Sequence, residues 1–222
     1  MPTNLYWKAD TVDQGLATAL KTLGEEYPVR EGPGTPQLVL MQGEPGRTLQ
    51  VGRKGETYTV TYGSHPDALR GVGTVLADLP AEADQALVES CPFTTLGIML
   101  ACSRNAVMTV EHVKGWLRRL ALMGYNMVML YTEDTYKLPG EPFFGFLRGA
   151  YSPQELKELD DYANRLGMEM IGCIQTLAHM EQILKWHVYR QVKDTITVML
   201  AEEPATYELV AKMIETYATC FR

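Results

Sequence analysis

LGIMLAC, at residues 96–102, is the first of three short apolar runs in the second half of the chain, followed by NMVMLY at 126–131 and MEMIGCI at 168–174. Runs of this length that are apolar on both faces are typical of strands buried on both sides of a parallel sheet. Amphipathic segments follow each run, at residues 109–123, 152–166 and 204–218. The alternation predicts a βαβαβα segment, which closes either as a doubly wound sheet or as a (β/α)8 barrel.

The segment at residues 152–166 also carries its own helix signals. Ser152 and Glu155 have the spacing of a capping box, and Pro153 lies at the first helical position. Gly167 follows the segment and is expected to end the helix.

Residues 1–90 have weaker periodicity and more turn residues than the rest of the chain. Helical spacing is expected at residues 10–23 and 65–79, and strand-like runs lie between them at 37–41, 48–51 and 57–62, with a hairpin turn at 53–56. The order helix, three strands, helix predicts a small α+β domain with one sheet face covered by helices. We therefore expect two domains, at residues 1–90 and 91–222.

Composition limits the class of protein. The chain has 222 residues, of which 46% are hydrophobic and 21% charged, and a formal net charge of −7. These values exclude a disordered or collagen-like chain, and the acidic balance argues against nucleic acid as a partner. The longest uncharged stretch, residues 90–103, is shorter than the ~20 residues that span a bilayer, so no membrane partner is expected.

The expected location is the cytoplasm. The N-terminus has neither the basic nor the apolar region of a signal peptide. The four cysteines have no CxxC spacing and are expected to be reduced; they are Cys91, Cys102, Cys173 and Cys220.

Polar side chains follow each apolar run. They are Ser103, Arg104 and Asn105 after the first, Thr132, Glu133, Asp134 and Tyr136 after the second, and Gln175, His179 and Glu181 after the third. The carboxyl ends of parallel strands share one edge, where function is found in both closed forms. Arginine offers forked donors to hydroxyls or carboxylates, and an acid beside a histidine can orient its ring. This edge suits a polar small ligand, and no cofactor or metal motif accompanies it.

Structural roles are the alternative for each of these candidates. Arg104 could pair with an acid at the base of a loop, Glu133 and Asp134 could lie in a solvated turn, and His179 could be a structural histidine.

Three of these segments resemble the family 20 glycoside hydrolases, the β-N-acetylhexosaminidases. GIMLACSR, at residues 97–104, is similar to the first barrel strand of that family, which ends in arginine. MGYNMVMLYTED, at residues 123–134, resembles the second, which ends in a Thr-acid-acid triplet. QTLAH, at residues 175–179, lies where the family often has Asp-x-Pro-Gly-His. The small domain before residue 90 fits as well, since these enzymes usually carry one ahead of the barrel.

The resemblance implies a fold, an activity and a set of roles. The fold is α/β, with the small α+β domain followed by an incomplete (β/α)8 (TIM) barrel of about three βα units. Arg104 would hold the C3 and C4 hydroxyls of a terminal N-acetylglucosamine or N-acetylgalactosamine. Glu133, with Asp134 beside it, would orient His179, which is coupled to the general acid. The chemistry is retaining and substrate-assisted: the acetamido oxygen of the sugar attacks C1, and no cofactor is involved.

The sequence departs from the family in two places. The Asp-Glu catalytic pair belongs at the end of the fourth strand and is expected beyond Arg222, so we expect a truncated chain that is inactive alone. Ala101 stands where the family often has an aspartate near the arginine. The third strand would leave an open barrel edge, which favours self-association. The alternatives are a degenerate sugar-binding or interaction module without turnover, and an unrelated complete α/β domain.

Overall fold

The computed structural model describes residues 4–80, 85–104 and 107–222. They form two compact units. The first comprises Met1–Gly97, Lys114–Met127 and Tyr162–Glu169, and the second Ile98–Val113, Val128–Asp161 and Met170–Arg222. Two sheets are present, with strands in the order β2-β1-β3-β5-β4-β6 and β7-β8-β9.

The first part of the chain alternates short strands with two helices. In chain order these elements are β1 (Leu5–Trp7), α1 (Gln14–Leu23), β2 (Val29–Glu31), β3 (Gln37–Gln42), β4 (Thr48–Lys54), β5 (Thr57–Tyr62), α2 (His65–Leu76) and β6 (Ala86–Ser90). The predicted helices and the three predicted strands are confirmed, and β4 and β5 form the expected antiparallel hairpin. Strands β1 and β2 were not predicted, because three residues show too little alternation to be recognised. Strand β6 was not predicted because its sequence, ALVES, has adjacent apolar residues followed by adjacent polar ones and does not alternate.

Single residues explain where helix α1 begins and how closely helix α2 packs on the sheet. Asp13 caps α1 by accepting a hydrogen bond from the Leu16 amide at 3.0 Å. Gly71 lets α2 approach β5, since a Cβ at that position would overlap the Val60 side chain. Helix α1 packs against β2, and α2 packs against β4 and β5, with apolar residues such as Leu20 and Val72 buried.

The later elements alternate as the apolar runs predicted. They are β7 (Gly97–Ala101), α3 (Val110–Leu122), β8 (Met127–Tyr131), α4 (Pro153–Arg165), β9 (Glu169–Cys173), α5 (Glu181–Leu184) and α6 (Pro204–Ala218), with a 3-10 helix at His187–Val192. The capping box is confirmed, because Glu155 Oε2 accepts from the Ser152 amide at 2.7 Å. The four-residue α5 and the 3-10 helix were not predicted, since neither is long enough to show a helical period.

The three later strands run in the same direction. The Cys102 amide, just after β7, donates to the Tyr131 carbonyl at 2.7 Å, and the Thr132 amide donates to the Cys173 carbonyl at 3.1 Å. The carboxyl ends of β7, β8 and β9 therefore lie side by side, and the segments that follow them start from one edge. Val128 and Leu130 lie on one face of β8 and are fully buried, whereas Met127, Met129 and Tyr131 on the opposite face are half-buried. The expected burial on both faces is therefore not found, because in the described residues the second face of this sheet is not fully covered.

None of the helices in the described ranges combines the length and the apolar character that a membrane span requires.

Candidate functional site

The segment after β8 is fixed by buried hydroxyl groups. Thr132 Oγ1 and the Tyr217 hydroxyl are 2.7 Å apart and both are buried. Thr135 Oγ1 donates to the Cys102 carbonyl at 2.9 Å, which ties this segment to the residue after β7. Such paired buried hydroxyls hold a segment in one conformation, since breaking either bond would leave a polar group unsatisfied. Glu133 and Asp134 lie between these two anchors.

Arg104 meets two acids that follow the other strands. Its Nη1 lies 2.9 Å from Glu181 Oε1, and its Nη2 lies 3.9 Å from Glu133 Oε1. These carboxylates raise the pKa of Arg104, with the hydrogen bond to Glu181 as the largest cause. All three residues were expected at the strand ends, and the structure brings them together. Asn105, which was grouped with them, lies outside the described residues.

Glu133 is a buried carboxylate with a hydroxyl partner. Its φ of +53° is uncommon for a residue with a side chain, and its side chain is 3% exposed. The Tyr131 hydroxyl donates to Glu133 Oε1 at 2.7 Å, and Gln175 Nε2 donates to the Tyr131 oxygen at 2.7 Å. Glu133 Oε2 is buried and has no hydrogen-bond partner among the described residues. A buried carboxylate oxygen without a hydrogen bond is uncommon in folded proteins.

Asp134 is buried next to an arginine that sequence reasoning did not select. Arg148 Nη1 lies 3.1 Å from Asp134 Oδ1, and the two side chains are 11% and 2% exposed. Burial is the largest influence on this carboxyl and raises the pKa of Asp134, although the Arg148 charge acts in the opposite direction. Neither carboxyl oxygen has a hydrogen-bond partner among the described residues. Asp134 is thus poised to hold a proton more readily than an ordinary aspartate.

His179 is exposed and lies in the left-handed region with a φ of +59°. In the described part of the chain no hydrogen bond joins it to Glu133 or Asp134. Its electrostatic interaction is with Glu181, whose pKa it helps to lower. The expected acid–histidine contact is therefore not formed here. Arg104 does pair with an acid, which is the structural alternative stated for it above.

A cavity of about 750 Å³ adjoins these residues. Its lining includes Arg104, Phe146, Arg148, Lys185 and Trp186. The Trp186 ring lies 5.3 Å from Phe146 between centroids, and the Lys185 ammonium lies 5.2 Å above it. Aromatic rings beside a few placed polar groups are typical of small-molecule sites. Sequence reasoning missed Phe146, Arg148 and Trp186, because they lie in irregular segments where no pattern indicates the direction of a side chain.

No group of three or more His, Cys, Asp or Glu side chains in the described ranges is arranged to hold a metal ion.

Comparisons with known proteins find one family repeatedly. No protein-family model matches the chain. Human Hexosaminidase D is 30% identical over 96 residues, which are 42% of this chain and 20% of that protein. A family 20 exo-β-N-acetylglucosaminidase from Vibrio harveyi, solved in complex with N-acetylglucosamine, superimposes with a TM-score of 0.76 and 17% identity over 99% of this chain and 42% of its own.

A second solved structure gives the same result. The family 20 β-N-acetylhexosaminidase from Streptomyces coelicolor A3(2) has a TM-score of 0.74 and 17% identity, over 99% of this chain and 53% of its own. The chain spans a fifth of the curated relative and about half of these solved structures. The resemblance seen in the sequence is confirmed by this likeness, and the chain has the fold of one part of a family 20 glycoside hydrolase.

Proposed function

We propose that this chain carries part of the sugar-binding site of an exo-β-N-acetylhexosaminidase. Residues 1–90 would form the domain ahead of the barrel, and residues 91–222 the first three βα units of the barrel. The substrate would be a glycan or glycoside with a terminal N-acetylglucosamine or N-acetylgalactosamine. The fold likeness over 99% of the chain supports this proposal.

The observation that carries the proposal is the arrangement around Arg104. A forked donor group stands at the carboxyl ends of the strands, with Glu181 at 2.9 Å and Glu133 at 3.9 Å. Carboxylates and a guanidinium together offer the acceptors and donors that adjacent sugar hydroxyls need. Arg104 would hold the C3 and C4 hydroxyls, as in the family that the chain resembles.

The acidic residues and the histidine would act on the reacting side of the sugar. Glu133 and Asp134 would orient His179, and His179 would couple to the general acid. Because these contacts are not formed in the present structure, the His179 side chain would have to move to make them. The reaction would be retaining and substrate-assisted, with the acetamido oxygen of the sugar as the nucleophile.

The 222-residue chain would bind sugar without hydrolysing it. None of its acidic pairs stands in the sequence context of the Asp-Glu pair that steadies the acetamido group and protonates the leaving oxygen in the family. The unformed contact at His179 favours the same view. A degenerate sugar-binding or interaction module is the alternative, and it also predicts binding without turnover. Turnover of an aryl N-acetylglucosaminide well above the buffer rate would contradict this part of the proposal.

Titration calorimetry with N-acetylglucosamine tests the binding role. We expect heat of binding in the millimolar range for the unmodified chain, and affinity about tenfold or more lower in Arg104→Ala, because the forked donor to the hydroxyls is lost. Arg190→Ala is the matched control, since Arg190 is an exposed arginine of the same unit outside the cavity lining. No heat in the unmodified chain, or equal affinity in Arg104→Ala and Arg190→Ala, would overturn the proposal.

A further inference from the structure

Arg104 has an acidic partner that its own strand does not provide. Residue 101, three positions before Arg104 on the preceding strand, is an alanine and offers no carboxylate. Glu181, 77 residues after Arg104 in the chain, accepts a hydrogen bond from its Nη1 at 2.9 Å. We propose that Glu181 is a positioning residue, which holds the Arg104 guanidinium in place for the hydroxyls of a sugar. This inference rests on the sugar-binding function proposed above.

Glu181 is the better fixed member of the pair. It is the first residue of α5, and Ile183 and Leu184 anchor that helix with exposures of 2% each. The side chains of Glu181 and Arg104 are 28% and 61% exposed. An exposed arginine loses much conformational freedom when it binds a ligand, so a carboxylate that holds it beforehand lowers the cost of binding.

The other contacts of Arg104 restrain the residue but do not occupy the N–H donors of its guanidinium group. Glu133 lies at 3.9 Å from Nη2, and the Arg104 carbonyl accepts from Arg148 Nη2 at 2.8 Å. A guanidinium has five N–H donors, and within the described residues only the one directed at Glu181 makes a side-chain hydrogen bond. The remaining donors are therefore available to sugar hydroxyls while the group is held from one side.

The charge of Glu181 is suited to this role. A hydrogen bond from its own backbone amide lowers the pKa of Glu181, and Arg104 adds to the effect. The carboxylate therefore stays ionised, and the pair stays intact, at neutral pH. Exposed ion pairs often contribute little to stability. The positioning role of Glu181 is therefore tested by measuring ligand affinity and not the free energy of unfolding.

A double-mutant cycle on the 222-residue chain tests the inference. The affinity for N-acetylglucosamine is measured for the unmodified chain, Glu181→Gln, Arg104→Ala and the double variant. We expect Glu181→Gln to weaken binding about threefold to tenfold, and to have no further effect when Arg104 is already alanine. A role in folding alone would instead lower affinity by the same factor in both backgrounds.

A second measurement reads the position of Arg104 without sugar. The Arg104 Nε–Hε group is followed by NMR relaxation, and we expect it to be ordered in the unmodified chain and mobile in Glu181→Gln. Glu141→Gln is the matched control, because Glu141 pairs with Lys212 at the same 2.9 Å and with similar exposure. It should change neither the affinity nor the Arg104 signal.

The outcomes separate this inference from the function on which it rests. If the unmodified chain binds no sugar, both fall. If Arg104→Ala weakens binding but Glu181→Gln does not, or if Glu141→Gln has the same effect as Glu181→Gln, the positioning role alone falls. An Arg104 side chain that is equally mobile with and without the Glu181 charge also overturns it.

Discussion

At the scale of one residue, burial changes the proton affinity of the Asp134 carboxyl group. Its side chain is 2% exposed and its single charged neighbour within salt-bridge distance in the described ranges is Arg148, at 3.1 Å. The burial that raises the pKa of Asp134 acts in the folded chain and disappears on unfolding. A carboxyl group whose pKa is raised by folding binds its proton more tightly in the folded state, so its contribution to the free energy of unfolding falls as the pH rises through the weakly acidic range.

We predict that Asp134→Asn flattens this part of the pH dependence. The free energy of unfolding, measured with urea at several pH values upward from about 4, should fall less with rising pH in Asp134→Asn than in the unmodified chain. Asp194→Asn, which changes an exposed aspartate, is the control. Equal slopes in Asp134→Asn and Asp194→Asn would show that the Asp134 carboxyl is not perturbed by folding.

At the scale of elements, the end of helix α6 packs closely against strand β9 at Gly172. A Cβ at Gly172 would overlap the rings of Tyr217 and Phe221. The same Tyr217 holds Thr132 after β8, so the packing of α6 also supports the segment that carries Glu133 and Asp134. Close packing of this kind has little room for an added methyl group.

We therefore predict that Gly172→Ala lowers the free energy of unfolding by about 1–3 kcal/mol, because the helix must shift to admit the methyl group. Gly52→Ala is the matched control, since Gly52 also lies in a strand and a Cβ there would meet no atom within 4 Å. Urea unfolding of the two variants gives the comparison. A Gly172→Ala variant as stable as Gly52→Ala would contradict the packing described for α6.

At the scale of the whole molecule, the sheet β7-β8-β9 ends in a strand with a neighbour on one side. Among the described residues, β9 is hydrogen-bonded to β8 and to no other strand. An unpaired strand edge presents backbone donors and acceptors to other chains. The self-association expected from the sequence therefore stays a prediction with a structural basis.

The prediction is checked by sedimentation velocity over a range of chain concentrations. We expect the average sedimentation coefficient of this 24.9 kDa chain to rise with concentration, since pairing at a strand edge obeys mass action. One species with the mass of a single chain at every concentration would contradict it.

Features that depend on residues close together in the sequence were predicted, whereas contacts between distant residues were not. The capping box of Ser152 and Glu155 and the positions of the three later strands were predictable, because each depends on neighbours within a few residues. The burial of those strands on both faces was wrongly predicted, since it depends on what packs against the sheet. The pairing of Arg104 with Glu181 joins residues 77 positions apart. The position of Trp186 beside the cavity depends on irregular segments that carry no period. The strand-end rule therefore predicted the edge where the candidate site lies but not the contacts within it.

The measurement that tests the central claim most directly is NMR mapping of N-acetylglucosamine binding on the labelled chain. We predict that the backbone amides with the largest shifts cluster after the three later strands, at Arg104, at residues 132–134 and around Glu181. That result would place the sugar at the carboxyl edge of the strands, where the arginine and the acids converge. Shifts confined to the six-stranded sheet, or no shifts in the millimolar range, would contradict the account.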